Sequence, residues 1–533
     1  ESGFRDVVFI TGAYGLGETV VQGAVDPDEF FVHKPTFNKG HRCVLRRRLG
    51  AKQIQMTYVT NAEAGDSATE TQETTEAQRQ RFCLRDDEVL QLAGYAMRIE
   101  KHYSHRAGHE QPMDIEWAKD AVDGELYIVQ ARPETVASQK SASSVETFHM
   151  LSRGESRAEP LLSGRAVGGK IAVGRVRVIK DVKALDEFET GDILVSDITT
   201  PDWVTVMKRA SAIVTNRGGR TCHAAIVARE LGVPAIVGTG NATTKLNSGD
   251  RVTVSCAEGD SGYVYDGELP FEKQTMQIDS LPPHKTKIVM NVANPDRAFF
   301  TAMIPNDGVG LARLEFIISE SIKAHPLAFL HPQKVLDEKQ RAEVTEISRL
   351  SATPREYYID TLAEGVGTIA AAFYPRPVVV RLGDFKSNEY SQLLGGRYFE
   401  PEEENPMLGL RGAARYLHPD FREAFEMECA AMKKLRETMG FDNVKLMIPF
   451  CRTPEEAGAV IAALAANGLR RGEGGLQVYL MVEIPSNVLQ FDEFAKMFDG
   501  FSIGSNDLTQ LTLGLDRDSE LVAPLFDARN PSV

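Results

Sequence analysis

The sequence lacks the features that mark secreted and membrane-spanning proteins. It holds 6 cysteines in 533 residues, and none of them forms a Cys-x-x-Cys pair. No apolar run approaches the roughly 18–20 residues that span a bilayer. The first residues, Glu-Ser-Gly-Phe-Arg-Asp, lack the pattern of a secretory signal. Because a chain of this size does not need disulfides, the scattered cysteines predict a reduced, cytoplasmic setting.

Positive charge is also scarce. The chain carries 60 Lys and Arg residues against 75 Asp and Glu residues, for a formal charge of −15. Nucleic acids and membrane surfaces are polyanions that need a basic face, so this balance predicts that neither is a partner. A nucleotide remains an open candidate ligand, because its site needs only a few local arginines and backbone amides. The length predicts roughly two to four globular domains.

Two polar stretches divide the chain into three blocks. The predicted divisions are a first domain over 1–134, a linker over 135–160, a second domain over 161–267, a linker over 268–285 and a third domain over 286–533. The first linker is rich in Ser, Glu, Lys and Gln, which predicts a connector carrying some helix. The second linker contains several prolines.

The third block alternates apolar strands with amphipathic helical stretches, which predicts a parallel α/β sheet. The predicted strands are 288–292, 308–311, 377–382, 444–448, 478–484 and 501–504. Polar residues follow the ends of these strands, which is the arrangement of a (β/α)8 barrel. Six strands are fewer than the eight that close such a barrel, so the sequence predicts a barrel without its last strands.

The segment from Asn216 to Pro234, NRGGRTCHAAIVARELGVP, contains a candidate nucleophile. A helix is predicted over 223–231, with Thr221 as its N-cap and a glycine at its end. His223 would then lie in the first turn, where unpaired amides and the helix dipole stabilise an anion. A neutral imidazole there can accept a phosphoryl group, although a histidine that only packs or caps is the alternative.

Two predicted strands near the end of the first block bring polar side chains to one face. Glu116 lies in Asp114-Ile-Glu-Trp117, and Gln130 and Arg132 lie in Ile128-Val-Gln-Ala-Arg-Pro133. Alternate residues of neighbouring strands share a face. A carboxylate and an amide oxygen suit Mg²⁺, and a guanidinium suits phosphate. On spacing alone, a nucleotide site and a solvated sheet face remain equal alternatives.

Arginines and carboxylates follow the predicted strands of the third block. Arg313, Arg381 and Arg411 are candidate phosphate ligands, because the charge of arginine is permanent and its fork matches phosphate oxygens. A single carboxylate such as Glu483 or Asp507 is more often a surface or capping group. Together, at successive strand ends, these side chains predict a metal and oxyanion site.

These motifs resemble those of the phosphoenolpyruvate (PEP)-utilising enzymes, the family of pyruvate,water dikinase, pyruvate,phosphate dikinase and enzyme I of the sugar phosphotransferase system. The order of the three blocks is that of the dikinases. The resemblance implies an α/β multidomain fold with a partial ATP-grasp domain, a swivelling phosphohistidine domain and an incomplete (β/α)8 barrel. It also implies that a first ATP-grasp half and the last barrel strands, with a proton-transferring cysteine, are missing. Full turnover by this chain alone is therefore not expected.

The resemblance assigns a role to each candidate. The implied roles are ATP binding by Glu116, Gln130 and Arg132, phosphate transfer by His223 with the supporting hydroxyl of Thr221, phosphate binding by Arg313, Arg381 and Arg411, Mg²⁺ binding by Glu483 and Asp507, and contact with pyruvate or PEP by Gly504, Ser505 and Asn506.

The implied reaction converts pyruvate, ATP and water to PEP, AMP and phosphate through a phosphohistidine on a mobile domain, as in gluconeogenesis. The segments 384–390 and 513–518 resemble the water dikinase more closely than the phosphate dikinase. The phosphate dikinase, or a non-catalytic phosphocarrier or scaffold, is the alternative. A homodimer through the barrel domain is a candidate assembly.

Overall fold

The computed structural model describes residues 4–21, 25, 27–59, 68–133, 144–151, 159–180, 188–199, 203–217, 223–258, 261–277, 284–516, 519 and 521–533. The chain divides into two units. One unit combines 1–140 with 284–533, and the other is 141–283. No helix in the described part of the chain is both long enough and apolar enough to cross a membrane. The five described cysteines form no disulfide.

The first segment contains a three-stranded antiparallel sheet and two hairpins. Its strands are β1 (Val7–Gly12), β2 (Asp28–His33), β3 (Val44–Arg48), β4 (Ile54–Tyr58), β5 (Thr69–Glu73), β6 (Met113–Lys119) and β7 (Leu126–Pro133). Its helices are α1 (Glu18–Val21), α2 (Lys34–Asn38), α3 (Glu76–Arg79) and α4 (Asp86–Ala107). Three acidic residues open α4 and Gly108 ends it in the left-handed conformation, as the helix dipole and C-cap rules predict. The apolar face of α4 packs on β1 and β2.

The unit 141–283 is built around a closed barrel of mixed strands. Its strands are β8 (Ser144–Met150), β9 (Leu162–Val167), β10 (Ile171–Val178), β11 (Ile193–Ser196), β12 (Ala212–Thr215), β13 (Ala235–Val237), β14 (Arg251–Ser255), β15 (Ser261–Asp266) and β16 (Phe271–Gln277). Its helices are α5 (Val204–Met207), α6 (His223–Leu231) and α7 (Ala242–Lys245). The barrel order is β10-β11-β12-β13-β9-β15-β14. The prediction of a helix over 223–231 is confirmed, and Gly232 follows it with φ 67°.

The prediction of helix within the linker 135–160 is wrong for its described part. β8 is a strand there, and it pairs antiparallel with β16, which lies in the second predicted linker. Phe148 pairs with Lys273 and Phe271 with Met150, so the two phenylalanines are diagonal neighbours, with ring centroids 6.1 Å apart. The polar composition of this segment gave no strand signal, because β8 is stabilised by cross-strand pairs with β16, which is far away in the sequence. The domain boundaries stay predictions.

The last segment contains a six-stranded parallel sheet whose strands follow chain order. Its strands are β17 (Met290–Val292), β18 (Val309–Arg313), β19 (Val378–Arg381), β20 (Val444–Ile448), β21 (Val478–Val482) and β22 (Gly500–Ile503). Its helices are α8 (Ala298–Ala302), α9 (Leu314–Ile317), α10 (Pro326–Leu330), α11 (Glu338–Ile347), α12 (Pro354–Phe373), α13 (Ser387–Tyr390), α14 (Ala413–Leu417), α15 (Arg422–Lys433), α16 (Pro454–Ala466), α17 (Pro485–Leu489), α18 (Phe491–Ala495) and α19 (Ser505–Leu513). The prediction of six parallel strands in this block is confirmed.

The first and last segments share one apolar core. Cys43, immediately before β3, and Leu45, within it, are fully buried in the same cluster as Val366 and Ala370 of α12. Beside this cluster, the guanidinium of Arg47 donates to Asp86 of α4 at 2.6 Å and pairs with Glu364 of α12. Burial of these apolar side chains against one another explains why the two segments form a single unit.

Candidate active site

Two arginines lie side by side at the carboxyl ends of neighbouring strands. Arg313 ends β18, Arg381 ends β19, and the two are register partners in the parallel sheet. Like charges in such positions repel each other unless an anion lies between them. Glu315 supplies one negative charge, since its Oε1 accepts from Arg381 Nη2 at 3.0 Å. This sheet edge is therefore suited to hold an anion.

The loop after β19 adds a buried carboxylate, Asp384, and the segment before α14 adds a third arginine, Arg411. Arg411 donates to both oxygens of Asp384, from Nε at 3.1 Å and from Nη2 at 2.7 Å. The same Nη2 donates to Asp507 at 3.2 Å. The Arg411 guanidinium also lies 4.0 Å from the ring centroid of Phe450, which is a cation–π contact. Arg411, Asp384 and Asp507 thus form one buried ionic cluster.

Glu483 follows β21 and is almost completely buried. Its Oε1 accepts a hydrogen bond from the backbone N–H of Phe450 at 2.6 Å. Burial, with a further contribution from Asp384 and then Asp507, raises the pKa of Glu483 to about 8. Gly504 lies against it, because a Cβ at that position would come within 2.7 Å of the Glu483 Cβ. Glycine at 504 therefore keeps room for this carboxylate.

The carboxylates of Asp384, Glu483 and Asp507 converge. One oxygen from each carboxylate lies within 4.8 Å of the other two, and all three residues are buried. Oxygen donors of this kind, several of them anionic, are what Mg²⁺ prefers, so the donor set fits this ion. Asp384 was not assigned a role from the sequence. Its only local signal is its position three residues after Arg381, and its convergence with Asp507 is visible only in the fold.

The remaining candidates of this block begin α19. Gly504 is the N-cap residue, and Ser505 and Asn506 are exposed in the first turn beside the buried Asp507. Exposed polar groups at a helix N-terminus, next to the carboxylate cluster, are available to a bound molecule.

The predicted nucleotide residues share one face of the hairpin β6–β7. Glu116 and Gln130 are direct cross-strand partners. Arg132 is exposed and donates to Asp114 at 2.8 Å. On the opposite face, Trp117 and Ile128 pack against the core of the first segment. The structure therefore brings Glu116 and Gln130 together, with Arg132 two residues along the strand.

The two residues predicted to carry the phosphoryl group are described only in part. His223 is the first residue of α6, and its side chain is not described. Thr221 lies outside the described residues. A position in the first turn of a helix is where the dipole and free amides stabilise an anion.

A buried carboxyl and a buried hydroxyl contact the backbone of the loop after β19. The N–H of Gly383 donates to Glu428 Oε1 at 2.9 Å, and the O–H of Tyr416 donates to the Gly383 carbonyl at 2.6 Å. Burial, with a further contribution from Glu315, raises the pKa of Glu428 to about 7. Other titratable groups near it, among the described residues, include the phenols of Tyr358, Tyr390 and Tyr416 and the thiol of Cys429.

The raised pKa of Glu428 predicts a loss of stability as pH increases. The folded state holds the proton up to about pH 7, whereas the unfolded carboxyl releases it near its ordinary pKa. The free energy of unfolding should therefore fall between about pH 4.5 and pH 7. Glu428→Gln should remove this component, worth on the order of 3 kcal/mol. Thermal unfolding from pH 5 to pH 8 measures it, with Glu426→Gln on the same helix as the control. Parallel pH profiles for wild type and Glu428→Gln would contradict the expectation.

The raised pKa of Glu483 predicts that metal binding releases protons. Because a metal ligand must be deprotonated, the affinity for Mg²⁺ should rise with pH up to about pH 8. Titration calorimetry of Mg²⁺ at pH 7, in buffers with different heats of ionisation, counts the protons released. We expect Glu483→Gln to reduce that number. A proton count of zero for the wild type would show that the carboxylate is already ionised.

Comparison with known proteins identifies the family. The family model for the PEP-binding domain of PEP-utilising enzymes matches residues 271–533. The model for the AMP/ATP-binding domain of pyruvate phosphate dikinase matches residues 1–153, and that for the mobile domain of PEP-utilising enzymes matches residues 188–259.

Relatives that align along the whole of this chain identify the particular family. The chain is 59% identical to a phosphoenolpyruvate synthase of Pseudomonas aeruginosa, 55% to one of Synechocystis and 51% to one of Aquifex aeolicus. Each alignment covers 100% of this chain and 66%, 64% and 67% of the relative, respectively. The chain belongs to the phosphoenolpyruvate synthase family. It spans about two thirds of the length of the curated relatives that it matches.

Proposed function

We propose that this chain provides the phosphate-carrying and pyruvate-binding parts of a phosphoenolpyruvate synthase, which converts pyruvate, ATP and water to PEP, AMP and phosphate. The observation that carries the proposal is the sheet edge at which Arg313 and Arg381 are register partners, next to the three converging carboxylates. Arginines suit the phosphoryl group that is transferred, and carboxylates suit a divalent cation. Transfer of a phosphoryl group to an enolate oxygen requires both the arginines and the cation.

Mg²⁺ is the proposed ion, held by Glu483 and Asp507 with Asp384 as a further ligand. When bound, it would supply positive charge for the carboxylate and the developing enolate oxygen of pyruvate. Arg313 and Arg381, with Arg411 as a third arginine, hold the phosphoryl oxygens. Arg411 also fixes the orientation of Asp384. Gly504, Ser505 and Asn506 border the substrate, and the support for this is their location at the start of α19.

The ATP side of the reaction is proposed for the first segment. Glu116 and Gln130 offer oxygens to Mg-ATP, and Arg132 offers its guanidinium to phosphate. His223 attacks the β-phosphate of ATP and takes the β,γ-pyrophosphoryl group, so that AMP leaves. Water then removes the γ-phosphate as free phosphate, and His223 passes the remaining phosphoryl group to pyruvate. Thr221 supports His223 with a hydroxyl. The supporting observations are the shared face of the β6–β7 hairpin and the location of His223 at the first residue of α6.

The finer description of the fold is also a proposal. We infer that the six parallel strands belong to a (β/α)8 barrel, that the segment 1–134 is half of an ATP-grasp domain, and that the phosphohistidine domain swivels between its two partners. The chain-order parallel sheet supports the barrel. A cytoplasmic location and a homodimer through the barrel domain stay predictions.

Consumption of inorganic phosphate distinguishes the synthase from the phosphate dikinase. In the protein at its natural length, ATP should yield AMP and one free phosphate per turnover without any added phosphate. The measurement follows labelled phosphate during AMP formation. Incorporation of the added phosphate into pyrophosphate would establish the dikinase instead. The absence of any acid-labile phosphate on the protein would favour a non-catalytic scaffold.

A further inference from the structure

We propose that Glu428 and Tyr416 are positioning residues for the pyruvate site, because together they fix the two peptide groups that flank Gly383, between Arg381 and Asp384. This inference rests on the proposed function and extends it to residues that touch neither substrate nor metal. Neither residue lies at a strand end, and both come from helices that pack behind the sheet, α15 and α14 respectively.

Both backbone groups of Gly383 are held by buried side chains. Its N–H donates to Glu428 at 2.9 Å and its carbonyl accepts from Tyr416 at 2.6 Å. Glu428 is 1% exposed and Tyr416 is 2% exposed. The Tyr416 ring stacks on Phe425 with centroids 4.5 Å apart and an interplanar angle of 9°. These contacts leave the two peptide groups on either side of Gly383 little freedom to rotate.

The residues on either side of Gly383 belong to the site. Arg381 lies two positions before it and Asp384 immediately follows it. Arg381 Nη1 lies 3.3 Å from Asp384 Oδ2, so a rotation of the intervening peptide would change the separation of the two groups. Positioning within a few tenths of an ångström matters when a phosphoryl oxygen and a metal must be held together.

Burying the carboxyl of Glu428 destabilises the fold unless its hydrogen bond to Gly383 offsets the loss of hydration. A buried carboxyl is stable only when its oxygens are satisfied or paired with a charge. Among the described residues, Glu428 has no salt bridge, and its near neighbours include Glu315 rather than a base. Its acceptor contact with Gly383 is therefore the interaction that favours a polar side chain here. A leucine would pack there at lower cost.

Three substitutions separate positioning from packing. Tyr416→Phe removes only the hydroxyl and keeps the ring stack. Glu428→Met removes the acceptor at similar length, and Glu428→Gln keeps an oxygen that can accept from Gly383. The control is Met432→Ala, which empties volume on the same helix in the same core and removes no side-chain hydrogen bond.

Two measurements are made on each variant in the protein at its natural length. The first is the exchange of labelled pyruvate with PEP, compared with AMP formation from ATP. We expect Tyr416→Phe and Glu428→Met to lower kcat for exchange roughly tenfold to hundredfold, with a smaller change in KM and with AMP formation retained. Glu428→Gln should recover most of the exchange rate. The second measurement is Mn²⁺ binding, followed by the loss of the free-ion electron paramagnetic resonance signal.

The outcomes are distinguishable. The positioning role would be overturned if Tyr416→Phe and Glu428→Met exchanged pyruvate with PEP no more slowly than Met432→Ala does. It would also be overturned if these two variants lost pyruvate exchange and AMP formation to the same extent. If the wild type performs no exchange, the proposed function fails, and Mn²⁺ affinity decides the inference. Weaker Mn²⁺ binding in Tyr416→Phe and Glu428→Met, with recovery in Glu428→Gln, supports it. Equal affinity in all variants overturns it.

Discussion

Replacing His223 with glutamine should abolish PEP formation, with a loss of at least about a thousandfold in kcat in the protein at its natural length. An amide nitrogen is not nucleophilic, so no side chain would remain at the start of α6 to accept the phosphoryl group. The measurement is the yield of PEP from ATP and pyruvate, together with the acid-labile mass increase of the protein. Both should vanish together.

The control is a second histidine of the same unit. His149 is exposed on β8, and His149→Gln should retain both the mass increase and the activity. PEP formation by the His223→Gln variant at the wild-type rate would rule out a phosphohistidine at this position.

Neutralising the metal site should block transfer of the phosphoryl group to pyruvate without affecting phosphorylation of the protein by ATP. Glu483→Gln and Asp507→Asn each replace one of the three carboxylates from which one oxygen each lies within 4.8 Å of the others. Each variant therefore lacks an ionised ligand that the bound ion would have. The loss of charge stabilisation for the enolate should reduce PEP formation by roughly a hundredfold to a thousandfold. Labelling of the protein by ATP should continue, because the proposed nucleotide residues lie in the first segment.

The matched control is Asp492→Asn, an exposed carboxylate in the first turn of α18. It should change neither half-reaction. Loss of ATP labelling in the Glu483→Gln variant would show that this carboxylate serves the nucleotide, or the fold as a whole, and would contradict the assignment to pyruvate.

Much of the sheet could be predicted from local patterns. Buried parallel strands are short apolar runs between helices, and all six were found with ends shifted by a few residues. Arg381 and Glu483 could be found for the same reason, since each follows such a run directly. Strand ends are a local signal that needs no knowledge of the fold.

Other features depend on contacts between distant parts of the chain. The pairing of β8 with β16 joins strands on either side of an entire barrel, and each strand alone has the composition of a linker. The bidentate contact of Arg411 with Asp384 and the contacts of Glu428 and Tyr416 with Gly383 arise in the same way. Neither spacing nor residue type distinguishes such side chains from ordinary helix residues before the tertiary structure is known.

The core shared by the first and last segments has a consequence for biosynthesis. A ribosome releases β3 well before α12, so Cys43 and Leu45 leave the exit tunnel while the side chains that will bury them are still untranslated. The seven-stranded barrel within 141–283 emerges between them and can close first. We therefore expect chaperones to bind the nascent β3 region and shield its apolar side chains until α12, which buries them, has been made.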